Sequence, residues 1–167
     1  MKRILLFVAI ESELPASVLP EGVELHYTGV GKVNAGIIAG SVLKGIDPEH
    51  SLVMNYGSAG SVHYAKNTLV RCTRFEQGDM DARPLAEKGI TPFDELVYPH
   101  IESGTLSFDE EGAICITQDI FNESPQSVAD MEAYAIAKAC KIFGHRFVAY
   151  KFISDDGGAD DWQQNHN

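Results

Sequence analysis

Apolar positions open the chain in an unbroken block. "RILLFVAI", residues 3–10, has no polar member after its arginine, the pattern of a strand buried on both faces. "VELHYT" (23–28) alternates and predicts a strand nearer an edge. Gly29 and Gly31 then mark a tight turn into a helix over 32–46, "KVNAGIIAGSVLKGI", closed by Asp47-Pro48. "SLVMNY" (51–56) is a second buried strand and ends in the glycine-rich "GSAGS". Residues 68–75 predict another strand. From Gln77 to Gly104 proline, glycine and charge interrupt any period, which reads as an irregular excursion rather than a linker. "GAICITQD" (112–119) is a strand, a helix follows over 126–144, and "HRFVAYKFIS" (145–154) is the last strand.

Strands alternating with helices predict an α/β domain over 1–167 with a mostly parallel or mixed sheet. Ligands in such sheets sit beyond the carboxyl ends of strands. The polar residues found there are Glu11 and Glu13 after the first strand, Ser58 after the third, Asp119, and Asp155 with Asp156 after the last. Acidic groups recur at the same kind of place, and strand ends of one sheet share a rim.

The last helix poses its own problem. Ser127, three residues before Asp130, predicts its start and Gly144 its stop. Val128, Glu132, Ala135, Ala139 and Phe143 form one helical stripe, with Asp130, Tyr134, Lys138 and Lys141 on a face expected to be solvated. Glu132 therefore stands among apolar positions, where an unpaired carboxylate costs several kcal/mol. Either it reaches water at the edge of the stripe, or it pairs with a buried Arg or Lys, or it is kept there to hold a ligand.

Composition narrows the function. Hydrophobic residues are 44% and charged residues 22%, an ordinary globular profile. Thirteen basic against twenty-four acidic residues give −11, which argues against a nucleic-acid partner and against anionic membranes. No run approaches the roughly 20 apolar residues of a membrane span. Glu11 and Glu13 follow the first apolar run at once, so a strand fits it better than a signal peptide. Cys72, Cys115 and Cys140 show no CxxC spacing and suggest free thiols in a reducing cytoplasm. The six histidines form no metal-binding pattern, so no metal and no cofactor is expected. "GVGKVN" lacks the third glycine of a dinucleotide fingerprint.

"AIESEL" (9–14), "TGVGKVNAG" (28–36), "NYGSAGS" (55–61), "QDIFN" (118–122), "ADMEAYAIAKAC" (129–140) and "FISDD" (152–156) come in one order along the chain. In these motifs it resembles the purine nucleoside phosphorylase and nucleosidase superfamily, and most of all its 5′-methylthioadenosine/S-adenosylhomocysteine nucleosidases. The resemblance covers most of the chain. It implies a three-layer sandwich, with a central mixed, mostly parallel twisted sheet flanked by helices. It also implies hydrolysis of the N-glycosidic bond of an adenosine derivative, without a cofactor. By resemblance, Glu13 matches the base that activates water and Asp155 the acid that protonates the leaving purine. Glu132 matches the carboxylate that grips ribose hydroxyls, with Met131 against the sugar. Phe121 matches an aromatic that packs on the purine, and the backbone at Asn122 reads the adenine edge. Ser58 and Gly60 match the loop beside the sugar.

Hexameric phosphorylases of the superfamily place an arginine just before the Gly-Ser loop, where this chain has Asn55. Glu11 and Glu13 stand where an early phosphate loop would lie, and would repel phosphate. Water is therefore the expected nucleophile, with a phosphate-dependent phosphorylase as the alternative. A catalytically weak nucleoside-binding member is a further alternative, because family members usually continue into a long C-terminal helix that this length leaves out. "QGDMDARPL" (77–85) departs from the best-known members and resembles a less characterised nucleosidase branch. The family implies a homodimer, with Pro92-Phe93 as the expected crossing element.

Overall fold

A computed structural model gives the architecture and describes residues 2–102, 104–121 and 125–155. In chain order the elements are β1 (Arg3–Val8), β2 (Val23–Tyr27), α1 (Lys32–Leu43), β3 (Ser51–Gly60), β4 (Leu69–Gln77), α2 (Asp94–Val97), β5 (Leu106–Ser107), β6 (Ala113–Thr117), β7 (Val128–Asp130), α3 (Ala133–Phe143) and β8 (Phe147–Asp155). All eight strands belong to one mixed sheet. β1 pairs in parallel with β2 and β3, and β3 in parallel with β8. β8 then runs antiparallel to β4, and β4 parallel to β6 and β6 to β7. At Gly60 and Ala129, β7 meets β3 again in antiparallel sense. The path β3–β8–β4–β6–β7 thus returns on itself, and residues from both ends of the chain meet at the end of β3.

The apolar run of β1 is buried on both faces, from Leu5 to Val8. Beneath the sheet, Phe75, Phe108 and Phe147 pack with ring centroids 5.0 to 6.0 Å apart. α1 crosses α3 through small residues. Ala35 and Ala39 are fully buried, and a Cβ on Gly36 would lie 3.9 Å from that of Ala135. Gly144, at φ +79°, closes α3 in the left-handed conformation that glycine adopts without strain.

Four expectations are corrected. The third strand continues through the glycine-rich stretch to Gly60, since every second residue from Ser51 to Ala59 stays buried. The helix does not start at Ser127: residues 128–130 pair with β6 as β7, and α3 begins only at Ala133. Asp130 displaces Ser127 as the cap, its Oδ2 accepting the N–H groups of Glu132 at 3.1 Å and Ala133 at 2.7 Å. The second face of α3 is not solvated. Asp130 and Tyr134 are buried, Lys138 bonds Asp94 of α2 at 2.7 Å, and Lys141 lies 4.3 Å over the Phe108 ring. The excursion after β4, which holds α2, and the segment with β5 that follows it supply this cover. No helix among the described residues is long and apolar enough to cross a membrane.

Candidate active site

A cavity of about 250 Å³ opens where β1, β3, β7 and β8 converge, room for one small organic molecule. Glu13, Ser58, Gly60, Phe121, Met131, Glu132 and Asp155 all line it. These are the residues singled out in the sequence, drawn from five separate segments. Asn122 lies outside the described residues.

Glu13 sits in the turn after β1, its N–H bonded to the Ile10 carbonyl. Its Oε1 accepts the N–H of Ser58 at 3.1 Å and the Ser58 hydroxyl at 2.7 Å. Its Oε2 is buried and has no hydrogen-bond partner among the described residues. Such a carboxylate is oriented on one side and ready to accept a proton on the other.

Glu132 is 8% exposed. It occupies the N-cap position of α3 rather than the helix interior, so its backbone need not be helical and its side chain turns to the pocket. Its Oε2 accepts the N–H of Gly31 at 2.9 Å. Burial raises its pKa from 4.5 to about 7, and the negative charge of Asp130 adds to the rise. Lys151 and the Gly31 N–H oppose that rise without cancelling it.

Asp155 ends β8 and is 2% exposed. The pairing of β8 with β3 slips there: Ala59 faces Ile153, while Gly60 faces Asp155. One extra residue on β8, Ser154, makes a bulge that redirects the strand end. The Ser154 hydroxyl donates to Asp155 Oδ2 at 2.6 Å.

Under the pocket lies an ion pair that the sequence reading missed. Lys151 Nζ is 2.9 Å from Asp130 Oδ2, and both side chains are fully buried. Thr117 and Cys115 donate to the other oxygen of Asp130. Burial alone would raise Asp130 and lower Lys151; the pair reverses both directions, so each stays charged. The buried Lys thus belongs to Asp130 and not to Glu132. The signal was present: Lys151 shares the inward parity of Phe147, Ala149 and Ile153 in β8. Ala9, Ile10, Val30 and Ile120 add apolar wall to the pocket and were also missed. No group of three or more His, Cys, Asp or Glu among the described residues is arranged to hold a metal ion, and the three thiols are free and buried.

No protein-family model matches the chain. Against the 5′-methylthioadenosine/S-adenosylhomocysteine nucleosidase of Bacillus velezensis it is 32% identical over 167 aligned residues, 83% of this chain and 71% of that protein. The chain belongs to this nucleosidase family. In fold it is similar to the nucleosidase of that name from Colwellia psychrerythraea, solved in complex with adenine, with a TM-score of 0.79 at 16% identity over 97% of this chain and 87% of that one. It is also similar to the futalosine hydrolase of Helicobacter pylori, with a TM-score of 0.76 at 17% identity over 98% of this chain and 90% of that one. The nucleosidase family's mixed α/β fold is therefore present here, and the same fold carries more than one named hydrolase.

Proposed function

We propose that the chain is a purine nucleoside N-ribohydrolase that cleaves an adenosine derivative of the 5′-methylthioadenosine/S-adenosylhomocysteine type to free base and sugar. The observation that carries this reading is the meeting of Glu13, Glu132 and Asp155 around one cavity. In it Glu13 is the base. Ser58 engages one oxygen, and the other receives a proton from water. The water oxygen bonds to C1′ of the sugar as the C1′–N9 bond breaks, through an oxocarbenium-like transition state. Asp155 gives its proton to N7 of the departing purine, so the electron pair of the broken bond leaves on a neutral base. Glu132 accepts hydrogen bonds from the ribose hydroxyls, which strengthen as positive charge develops on the sugar. Phe121 packs on the purine, Met131 lies against the sugar, Ser58 and Gly60 border it, and the backbone at Asn122 reads the adenine edge. No metal or cofactor takes part in this scheme.

Water is favoured over phosphate by charge. A phosphate at the sugar would stand beside Glu13 and Glu132, while Lys151 is already engaged by Asp130. Asn55, at the position of the phosphorylase arginine, turns to β1 and donates to the Phe7 carbonyl at 2.9 Å.

The reading extends to one domain over 1–167 in the family's three-layer arrangement, to a cytoplasmic setting that the three thiols suit, and to a homodimer. α1 supports the dimer. Its inner face packs on α3, yet Val33 and Ile37 on the outer face are 71% and 63% exposed, next to the pocket residue Val30. Phe93, at the expected crossing element, is also exposed.

The test is to incubate the protein with 5′-methylthioadenosine, S-adenosylhomocysteine and adenosine, with and without phosphate, and to follow free purine. Release independent of phosphate supports the hydrolase. Release only with phosphate makes it a phosphorylase, and tight binding without release makes it a nucleoside-binding protein.

A further inference from the structure

"QGDMDARPL", the stretch that departs from the best-known members, begins with three residues that the site described above does not use. None of the three lines the pocket itself. Gly78 follows the last residue of β4, and its N–H donates to the Thr117 carbonyl at 2.9 Å. A Cβ at Gly78 would lie 2.4 Å from Gln118 Oε1 and 2.9 Å from Ile116 Cγ2. Glycine is required there for room: it lets the chain leave β4 pressed against the segment that leads to Phe121. Asp79 comes next. Its Oδ2 accepts the N–H of Asp119 at 2.8 Å, and its Oδ1 accepts from Lys32 Nζ at 2.7 Å. Lys32 also donates to Gln77 Oε1 at 3.1 Å, and its own N–H donates to Asp119 Oδ1 at 2.8 Å.

We infer that Asp79 is a positioning residue: its carboxylate fastens the loop carrying Ile120 and Phe121 to the first turn of α1. The two sides of the clamp are the two sides of the pocket mouth. Ile120 and Phe121 directly follow Asp119, and Gly31, directly before Lys32, donates to Glu132. The Asp79–Lys32 pair is about four-fifths buried on both sides, so water weakens it less than a surface pair. Ile120 and Phe121 are themselves 63% and 47% exposed. Packing does little to hold them, which leaves their position to the hydrogen bonds at Asp119. Burial of Asp79 would push its pKa up, but the Asp119 N–H and Lys32 outweigh it and keep the carboxylate below the ordinary range. The clamp is therefore closed at neutral pH. Asp79 acts on the ligand through the pocket residues Ile120 and Phe121, so its loss weakens binding more than the chemical step.

For its kinetic part the inference rests on the nucleosidase reading; for its structural part it does not. Asp79→Ala, Asp79→Asn and Lys32→Met are compared with the parent by hydrogen exchange of the 117–121 amides, and by KM and kcat for purine release. In Asp79→Ala, exchange at 117–121 is expected to rise about tenfold while the amides of β3 and β8 keep their protection. KM rises about tenfold with kcat within about threefold. Asp79→Asn, which keeps one acceptor, falls between parent and Asp79→Ala. Adding Lys32→Met to Asp79→Ala costs less than the sum of the two. Unchanged local exchange and unchanged KM overturn the inference. So does a uniform rise in exchange across the sheet, the mark of a purely structural role. If the parent releases no purine, the nucleosidase reading fails, and the exchange experiment still decides the role of Asp79.

Discussion

Glu13 and Ser58 are 45 residues apart, yet one oxygen of the glutamate takes both the main-chain N–H and the hydroxyl of the serine. The parallel register of β1 with β3, in which Phe7 faces Asn55, sets the end of β1 beside the glycine-rich end of β3. Two donors on one oxygen fix the rotamer of the carboxylate, which lies beside Gly57: a Cβ there would be in ordinary contact with it, 3.6 and 3.7 Å from its two oxygens. The base is thus placed by the sheet and held by Ser58.

Replacing Glu13 by Gln keeps the bonds to Ser58 but removes the proton acceptor. Turnover is expected to fall by about a thousandfold, the scale of general base catalysis, while the affinity for adenine changes little. Ser58→Ala loses the 2.7 Å bond to Glu13 and keeps the main-chain one, and should cost about tenfold in kcat. Steady-state kinetics with adenine binding by calorimetry separates the two effects. Loss of adenine binding in Glu13→Gln would instead make Glu13 a ligand-binding residue.

Glu132 gives a prediction with a sign. Its folded-state pKa of about 7 lies above the 4.5 of the free group, so the folded chain holds this proton more tightly than the unfolded one. The associated stability is present below pH 4.5 and is lost as pH rises through about 7. At about 1.4 kcal/mol per unit, Glu132→Gln should be more stable than the parent by about 3 kcal/mol at pH 8 and equal to it near pH 4. Purine release should show the opposite preference. Only the ionised form accepts two hydroxyls, so kcat/KM climbs through pH 7 in the parent, and that limb disappears in the much slower Glu132→Gln. Denaturation at the two pH values and a pH–rate profile check both halves.

The Lys151–Asp130 pair should be costly to break and cheap to remove. Lys151→Met leaves Asp130 charged and buried, and is expected to destabilise by about 3–5 kcal/mol. Asp130→Asn alone leaves Lys151 stranded and should cost a similar amount. The double variant has no buried charge and should recover most of the loss, though Glu132 then titrates in an altered field, without the opposing charges of Asp130 and Lys151. Urea unfolding of the three variants measures the coupling.

Much of this was legible in the chain because burial has a period. The inward run of β1, the alternation of β3 and the Ser-Asp end of β8 put Glu13, Ser58 and Asp155 at strand ends before any coordinates. Helical spacing misled at residues 128–132. Three residues of strand are too few to show a period of two, and their apolar positions happen to continue the stripe of α3. What separates them is Asp130, whose side chain caps the helix from inside the strand, an effect of tertiary pairing with β6. Lys151 was legible by parity but reads as a solvent residue unless its partner is known. The excursion's clamp at Asp79 depends on contacts 40 and 47 residues away, which no local pattern encodes.

Gly57 offers the sharpest test of how the parts interlock. Its backbone does not need glycine, since its φ is not among the positive values of the chain. The need is space: an added Cβ would lie 3.3 Å from Lys151 Nζ on one side and 3.6 Å from Glu13 Oε2 on the other. The 3.6 Å approach to Glu13 is ordinary contact, so Glu13 can stay where it is, and the crowding falls on Lys151, fully buried against Asp130. Gly57→Ala is therefore expected to fold, at a cost of about 1–2 kcal/mol for the crowding. Purine release should stay close to that of the parent, because the bonds that hold the Glu13 carboxylate to Ser58 remain; urea unfolding and steady-state kinetics check the two halves. Ser58→Ala in the same background should cost as much as it does alone, since the bond it removes is still made. A Gly57→Ala protein of parental stability that has lost turnover would mean that the added Cβ displaces Glu13 and leaves Lys151 in place.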